Sequence, residues 1–215
     1  MRVDLHRIVS YTLAPRRGIK PIINEAHTMK TLILLYTKGP LGRQALSKIL
    51  GIGESSVRTL IRRLKELGLV DVSKAGGAYL TNTGEVIVKR LLEKIVPPKV
   101  IDINDLNYLK LSRKACAIVL RDYCREKPDV LRIRDSLIRY GAEAALIICV
   151  KKGKFILLSP QGNGIDETVI KELNELKNRL NIELHNYDLI LVSYAESLDK
   201  CETSLYKFIV LEGID

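Results

Sequence analysis

Apolar positions recur with a helical period through much of the first hundred residues. Met29, Leu32, Ile33 and Tyr36 fall at i, i+3, i+4 and i+7, which predicts a helix capped by Thr28 and running to about Lys38. Leu34 and Leu35 make it apolar nearly all round, as a buried scaffold helix would be. Gly39-Pro40 ends it. A second helix, starting near Gly42, turns Leu46, Ile49 and Leu50 inward and leaves Arg43, Gln44 and Lys48 outside. Gly51-Ile52-Gly53 then supplies a tight turn, with Gly51 suited to a left-handed closing residue and Gly53 to the N-cap of a third helix. That helix carries Val57, Leu60, Ile61, Leu64 and Leu67 on one stripe, with Ser55, Ser56, Arg58, Thr59, Arg62, Arg63, Lys65 and Glu66 on its other faces.

After Gly68 the period shortens. Leu69-Val70-Asp71-Val72 predicts a strand, Lys74-Ala75-Gly76-Gly77 a hairpin tip, and Ala78-Tyr79-Leu80 the returning strand. Thr81-Asn82-Thr83-Gly84-Glu85 then caps a helix to about Val96. Helix, short turn, helix and glycine-tipped hairpin, in that order, predict a winged helix-turn-helix over residues 28–96. The apolar positions Val86, Ile87, Leu91, Leu92 and Ile95 exceed what a small hairpin covers, so a homodimer contact is expected there. Residues 1–27 show little periodicity and carry Pro15, Pro21 and the pair Arg16-Arg17, which predicts an N-terminal arm.

Pro97-Pro98 suggests a hinge, and residues 97–114 a linker or covering strand. From Ala115 the pattern becomes α/β: a strand over Ala115–Leu120, a helix over Asp129–Tyr140, and a hairpin of Ala144–Val150 with Phe155–Ser159 turning at Lys152-Gly153. A helix over Glu167–Leu180 follows, capped by Asp166 and stapled by Ile165 and Ile170, then strands over Tyr187–Tyr194 and Leu205–Leu211. The order βαββαββ predicts a two-layer sandwich over residues 115–215, a mainly antiparallel sheet with two helices on one face. The whole chain is therefore expected to be α+β.

Charge changes the picture more than composition does. The net charge is +10, and residues 1–96 hold 17 Lys/Arg against 7 Asp/Glu, while residues 97–215 hold 18 of each. The chain lacks Trp, has only Gln44 and Gln161, and is rich in Lys, Arg, Glu, Ile and Leu, a bias shared with thermophilic proteins. Such a bias would enrich charge in both halves, so the localised excess points instead to a polyanion partner for the first half. Hydroxyls and guanidinium groups near the start of the third helix suit double-stranded DNA, early residues meeting base edges and later cations meeting phosphates. The candidate DNA-contacting residues are Arg43, Gln44, Lys48, Ser55, Ser56, Arg58, Thr59, Arg62, Arg63 and Lys74. The bland alternative is an amphipathic helix with a solvated charged face, and a docking module for protein or RNA remains a second functional class.

No apolar run reaches the roughly 18 residues needed to span a bilayer, and the N-terminal residues lack a signal-peptide pattern, so a cytoplasmic protein is expected. Cys116, Cys124, Cys149 and Cys201 are dispersed without the spacing of a zinc or redox motif, and those in apolar runs are expected to be buried hydrophobes. His6, His27 and His185 are isolated, and no catalytic constellation, metal site or cofactor motif emerges; an enzyme is not expected. Gly162-Asn163-Gly164 ahead of a helix is more simply a loop than an anion site. Arg121, Arg132, Arg134, Asp135 and Arg139 are candidates to line a pocket for an anionic effector, against the simpler reading of surface ion pairs.

The stretch GPLGRQALSKILGIGESSVRTLIRRLKELGLVDVSKAGGAYLTNTG resembles the DNA-binding domain of the central glycolytic genes regulator of bacteria, sharing the Gly-Arg before the first helix and the serine-rich start of the second. The whole chain is similar to an archaeal family of winged-helix regulators whose C-terminal domain has no established function. That family carries an arginine at a strand end, an Arg-Asp pair and a Gly-Ala, which fall here on Arg121, Arg134-Asp135 and Gly141-Ala142. Charge, motif order and this kinship together lead to the expectation of a transcriptional regulator that acts as a dimer, with the second domain, 115–215, binding a small-molecule effector or completing the dimer.

Overall fold

A computed structural model describes residues 5–15, 22–158 and 167–214. The chain divides into two compact units, one of residues 1–92 with 209–215 and one of residues 93–208.

In the first unit, α1 (Leu5–Leu13) buries Leu5, Ile8, Val9 and Thr12, an i, i+3, i+4, i+7 stripe that a threonine obscures in the sequence. The expected arm is thus partly helical; the Arg16-Arg17 pair lies outside the described residues. α2 (Glu25–Lys38) begins four residues earlier than expected. Asn24 is its cap, the Asn24 side chain accepting from the His27 amide at 2.9 Å while His27 Nδ1 accepts from the Asn24 amide at 3.1 Å. Thr28 is no cap: its hydroxyl is buried inside the helix, 2.9 Å from the Thr12 hydroxyl.

α3 (Arg43–Leu50) and α4 (Glu54–Glu66) meet across the predicted turn. Gly51 has φ +68 and donates to the Ser47 carbonyl, and Gly53 is the N-cap of α4. The Ser47 hydroxyl bonds the Ile52 carbonyl at 2.6 Å, closing the turn from the side. β1 (Val70–Val72) and β2 (Ala78–Leu80) pair antiparallel as the wing, and Leu41 joins them through two backbone bonds of 2.9 Å with Ala78. α5 (Asn82–Lys94) packs so tightly on the wing that a Cβ on Gly84 would lie 2.1 Å from the Leu69 carbonyl oxygen.

The second unit is a five-stranded antiparallel sheet in the order β3-β4-β7-β5-β6, formed by β3 (Ile95–Ile101), β4 (Lys114–Leu120), β5 (Ala144–Lys151), β6 (Lys154–Leu157) and β7 (Leu189–Ala195). Pro97-Pro98 is not a hinge. It lies within edge strand β3, at the register shift between Val96 and Lys99, where missing amide donors are tolerated. Residues 102–113 are likewise no free linker. The Glu172 carboxylate accepts from the amides of Asn107, Tyr108 and Leu109 at 2.8–3.1 Å and pins this loop to α7 (Glu167–Leu180). Ile103, Leu106 and Leu109 join Leu173, Leu176 and Leu180 of α7 in one core with Ala115, Ala117, Val119 and Tyr194.

The α+β class is as expected, but the helices lie on both faces of the sheet. Tyr194 points to the α7 side, so its neighbour Ser193 points to the other side, where its hydroxyl lies 2.6 Å from that of Ser204 on α8 (Leu198–Leu211). The expected strand over Leu205–Leu211 is the end of α8. Its apolar, β-branched residues favour a strand when seen alone, but Cys201, Ser204, Leu205 and Phe208 are buried at helical spacing once the preceding turn is included. α6 (Val130–Arg139) is capped by Asp129, which accepts from the Arg132 amide at 3.0 Å. Cys124 and Cys149 form a disulfide across a separation of 25 residues, so Cys149, in an apolar run, is bridged and not simply a buried hydrophobe; Cys116 and Cys201 are free and buried. Gly162-Asn163-Gly164, the Asp166 cap and the staple residue Ile165 lie outside the described residues.

Candidate nucleic-acid interface

The apolar stripe of α4 fixes which of its polar side chains reach solvent. Val57, Leu60, Ile61 and Leu64 are buried, so Ser55, Arg58, Arg62 and Lys65, spaced i, i+3, i+7 and i+10, share the opposite face. Ser55 and Arg58 are exposed; Ser56 and Thr59 are half-buried, and the Thr59 hydroxyl is already bonded to the Ser55 carbonyl at 3.1 Å. Arg43, Gln44 and Lys48 are exposed on α3, and Lys74 is exposed at the wing tip. Arg43, Lys48, Arg58 and Lys74 have no acidic partner among the described residues. Arg62 lies only loosely against Glu66, at 4.0 Å with 60% of its side chain exposed.

Arg63 is the exception. It is 3% exposed and its guanidinium donates to the Thr12 carbonyl, so it belongs to the packing of α1 on α4 and not to the exposed face. One position along a helix rotates a side chain by roughly 100°, enough to separate Arg63 from Arg62. Glu66 is held from the same direction by the Tyr11 hydroxyl at 2.9 Å.

The wing is fastened to α4 by Lys65, whose ammonium lies 2.6 Å from Asp71 on β1. That hydrogen bond, with the attraction between the charges, holds Lys65 above and Asp71 below its ordinary pKa. At the tip, the Ser73 amide donates to the Gly77 carbonyl and the Gly76 amide to the Ser73 carbonyl, each at 2.9 Å, with Gly76 at φ +85. Between α4 and the wing lies a hollow of about 330 Å³. Leu41, Ile61, Val72 and Ala78 contribute apolar walls, and Arg43, Arg58, Arg62 and Lys65 contribute cations. Three of the ten candidate DNA-contacting residues thus line one concavity. Lys65, which sequence reasoning left out of the candidates, joins them; its spacing of seven from Arg58 was the available signal.

Arg121, Arg134 and Asp135, the candidate effector residues, each have a local partner. Arg121 is engaged by the buried carboxylate of Asp188 and by the Glu183 carbonyl at 3.0 Å. Asp188 also accepts from the His185 amide at 2.8 Å, so Arg121 fixes the turn ahead of β7. Arg134 pairs with its neighbour Asp135 at 3.2 Å on the exposed side of α6. Gly141, at φ +115, closes α6 in a conformation side chains rarely adopt. Each of these residues has a local structural reason. Among the described residues no group of three or more His, Cys, Asp or Glu is placed to hold a metal ion, and no helix is long and apolar enough to cross a membrane.

Residues 27–102 match the family described as PH0730-like, N-terminal domain, and residues 111–210 match a domain of unknown function, DUF4443. No curated protein matches the chain. Among solved structures, the transcriptional regulator Tm0710 from Thermotoga maritima is 21% identical, covering 42% of this chain and 61% of its own with a TM-score of 0.31. IdeR from T. acidophilum is 27% identical, covering 34% and 35% with a TM-score of 0.28. At such values neither establishes a shared fold. The hypothetical protein PH0730 from Pyrococcus horikoshii OT3 is 24% identical, with a TM-score of 0.66 over 90% of this chain and 96% of that one, and the two share their fold across nearly their full length.

Proposed function

We propose that this protein is a DNA-binding transcriptional regulator. The observation that carries the reading is the solvent-facing stripe of Ser55, Arg58 and Arg62 on α4, flanked by the cations of α3 and the wing, in the half that holds the chain's whole positive excess. In this reading α4 enters the major groove, with Ser55, Ser56 and Arg58 nearest the base edges. Arg62 and Arg43 face the phosphates, and Lys74 reaches the backbone or minor groove beside the wing. The protein acts in the cytoplasm as a homodimer on a pseudo-palindrome whose half-sites are about one helical turn apart. The second unit carries no catalytic role here; it completes the dimer or responds to an effector.

Selection of bound duplexes from genomic DNA at two salt concentrations tests DNA binding, sequence preference and half-site spacing together. Affinity is expected to fall steeply with salt, and Arg62→Ala to reduce the salt slope by about one. Arg58→Ala is expected to cost about 1–3 kcal/mol and relax the preference at one base position. Absence of duplex binding at low salt, or indifference to both substitutions, would overturn the proposal. A marked preference for structured RNA in competition would favour the docking-module reading instead.

A further inference from the structure

The hollow between α4 and the wing has a chemistry that a DNA backbone does not use. The anionic oxygens of a phosphodiester gain from the cations and not from apolar walls. Ile61 and Val72 offer it nothing, yet they wall the hollow together with other apolar side chains. About 330 Å³ is the lower end of the volume range typical of small-molecule sites. Its cations are of two kinds. Lys65 is committed to Asp71 at 2.6 Å, while Arg43 and Arg58 have no acidic partner among the described residues and Arg62 has only a distant one. An apolar cleft bordered by uncommitted guanidinium groups matches a molecule with an apolar body and one anionic end.

We infer that this hollow is a binding site for an amphipathic carboxylate, a single ring or a chain of roughly five to eight carbons ending in one carboxyl group. The ring or chain lies against Ile61 and Val72, and the carboxylate takes a forked contact from Arg58 or Arg62. Both arginines belong to the proposed DNA face, so the ligand and the duplex compete, and the effector acts at the DNA-binding surface itself. The competition rests on the proposed function; the site does not.

The test uses the full chain and benzoate as the probe, with acetate as the anion lacking an apolar body and benzyl alcohol as the body lacking an anion. Calorimetric titration without DNA is expected to give a Kd of about 1 mM for benzoate, from typical small-ligand efficiencies, and at least tenfold weaker binding for acetate and benzyl alcohol. Methyl resonances of Ile61 and Val72 shift on benzoate addition. Val72→Ser, on an exposed strand position, weakens benzoate at least threefold while leaving acetate unchanged, and Arg58→Gln weakens both anions. Equal binding of benzoate and acetate, or shifts confined to residues away from the hollow, would overturn the site. Duplex binding is measured first without benzoate: its absence refutes the DNA reading while the titration still decides the site. Where duplex binds, failure of saturating benzoate to weaken it overturns the competition.

Discussion

The Arg63 guanidinium donates to the carbonyl of Thr12, tying the last turn of the basic helix to the helix that opens the described chain. Its neighbour Arg62 keeps 60% of its side chain in solvent. Adjacent residues of one type therefore have separate tasks, one in folding and one on the candidate interface, and substitutions distinguish them.

Arg63→Ala removes a buried charged donor and leaves the Thr12 carbonyl to find another partner. The expected loss is about 3 kcal/mol of stability, seen as a lower urea midpoint at unchanged slope. Arg58→Ala, at an exposed position, shifts the same midpoint by less than about 0.5 kcal/mol. Comparable losses for the two would contradict the burial of Arg63.

Gly84→Ala tests the packing of α5 on the wing. The new Cβ would meet the Leu69 carbonyl oxygen at 2.1 Å, and that backbone also accepts from the Thr81 amide at 3.0 Å. Helix propensity alone would favour alanine by about 1 kcal/mol. The clash reverses the sign, with an expected net destabilisation of about 1–3 kcal/mol in thermal or urea unfolding.

The Glu172 carboxylate gives the second unit a pH dependence. Burial pushes its pKa up, but the amides of Asn107, Leu109 and Tyr108 and the charge of Arg179 outweigh it, leaving the value below the ordinary 4.5. A depressed carboxylate contributes stability that is present above its ordinary pKa and lost as pH falls through the lower folded value. Glu172→Gln is therefore expected to cost about 2 kcal/mol at pH 7, and the gap from the parent to narrow below pH 4.5. Unfolding of both proteins between pH 3 and pH 7 measures the difference; a gap independent of pH would contradict a charged, amide-bound Glu172.

Reduction of Cys124–Cys149 opens a loop of 25 residues. In the chain-entropy account this costs about 3 kcal/mol. The unfolding temperature is expected to fall in reductant, and Cys124→Ser should match the reduced protein. Thiol counting under denaturing, non-reducing conditions should give two free groups, Cys116 and Cys201.

The winged unit was legible because its determinants are local. Glycines at 51 and 53, the apolar stripe from Val57 to Leu64 and the glycine-tipped hairpin each fix a few neighbouring residues, and helical period, caps and turn closed on the same element boundaries within a few positions. The exposed residues of α4 followed from its buried stripe, with Arg63 lost because a helix with two buried sides looks, in sequence, like one with a single apolar face. The second unit was less legible where pairing is remote. Leu205–Leu211 has strand-forming side chains but is helix, because Cys201, Ser204, Leu205 and Phe208 bury one helical face, with Ser204 against Ser193 of the sheet. Pro97-Pro98 looked like punctuation, yet an edge strand tolerates it.

By itself, then, the sequence determined the helix-turn-helix, the wing and the asymmetry of charge, since period, capping and composition act within a turn or two of chain. Tertiary structure decided which cations remain available. Thr12 claims Arg63, Asp188 claims Arg121 and Asp71 claims Lys65, while Arg58 and Arg43 are left at an apolar hollow. The physical reason is that a charge is spent or free according to what lies within a few ångströms of it, and those neighbours are separated by 51, 67 and 6 residues along the chain.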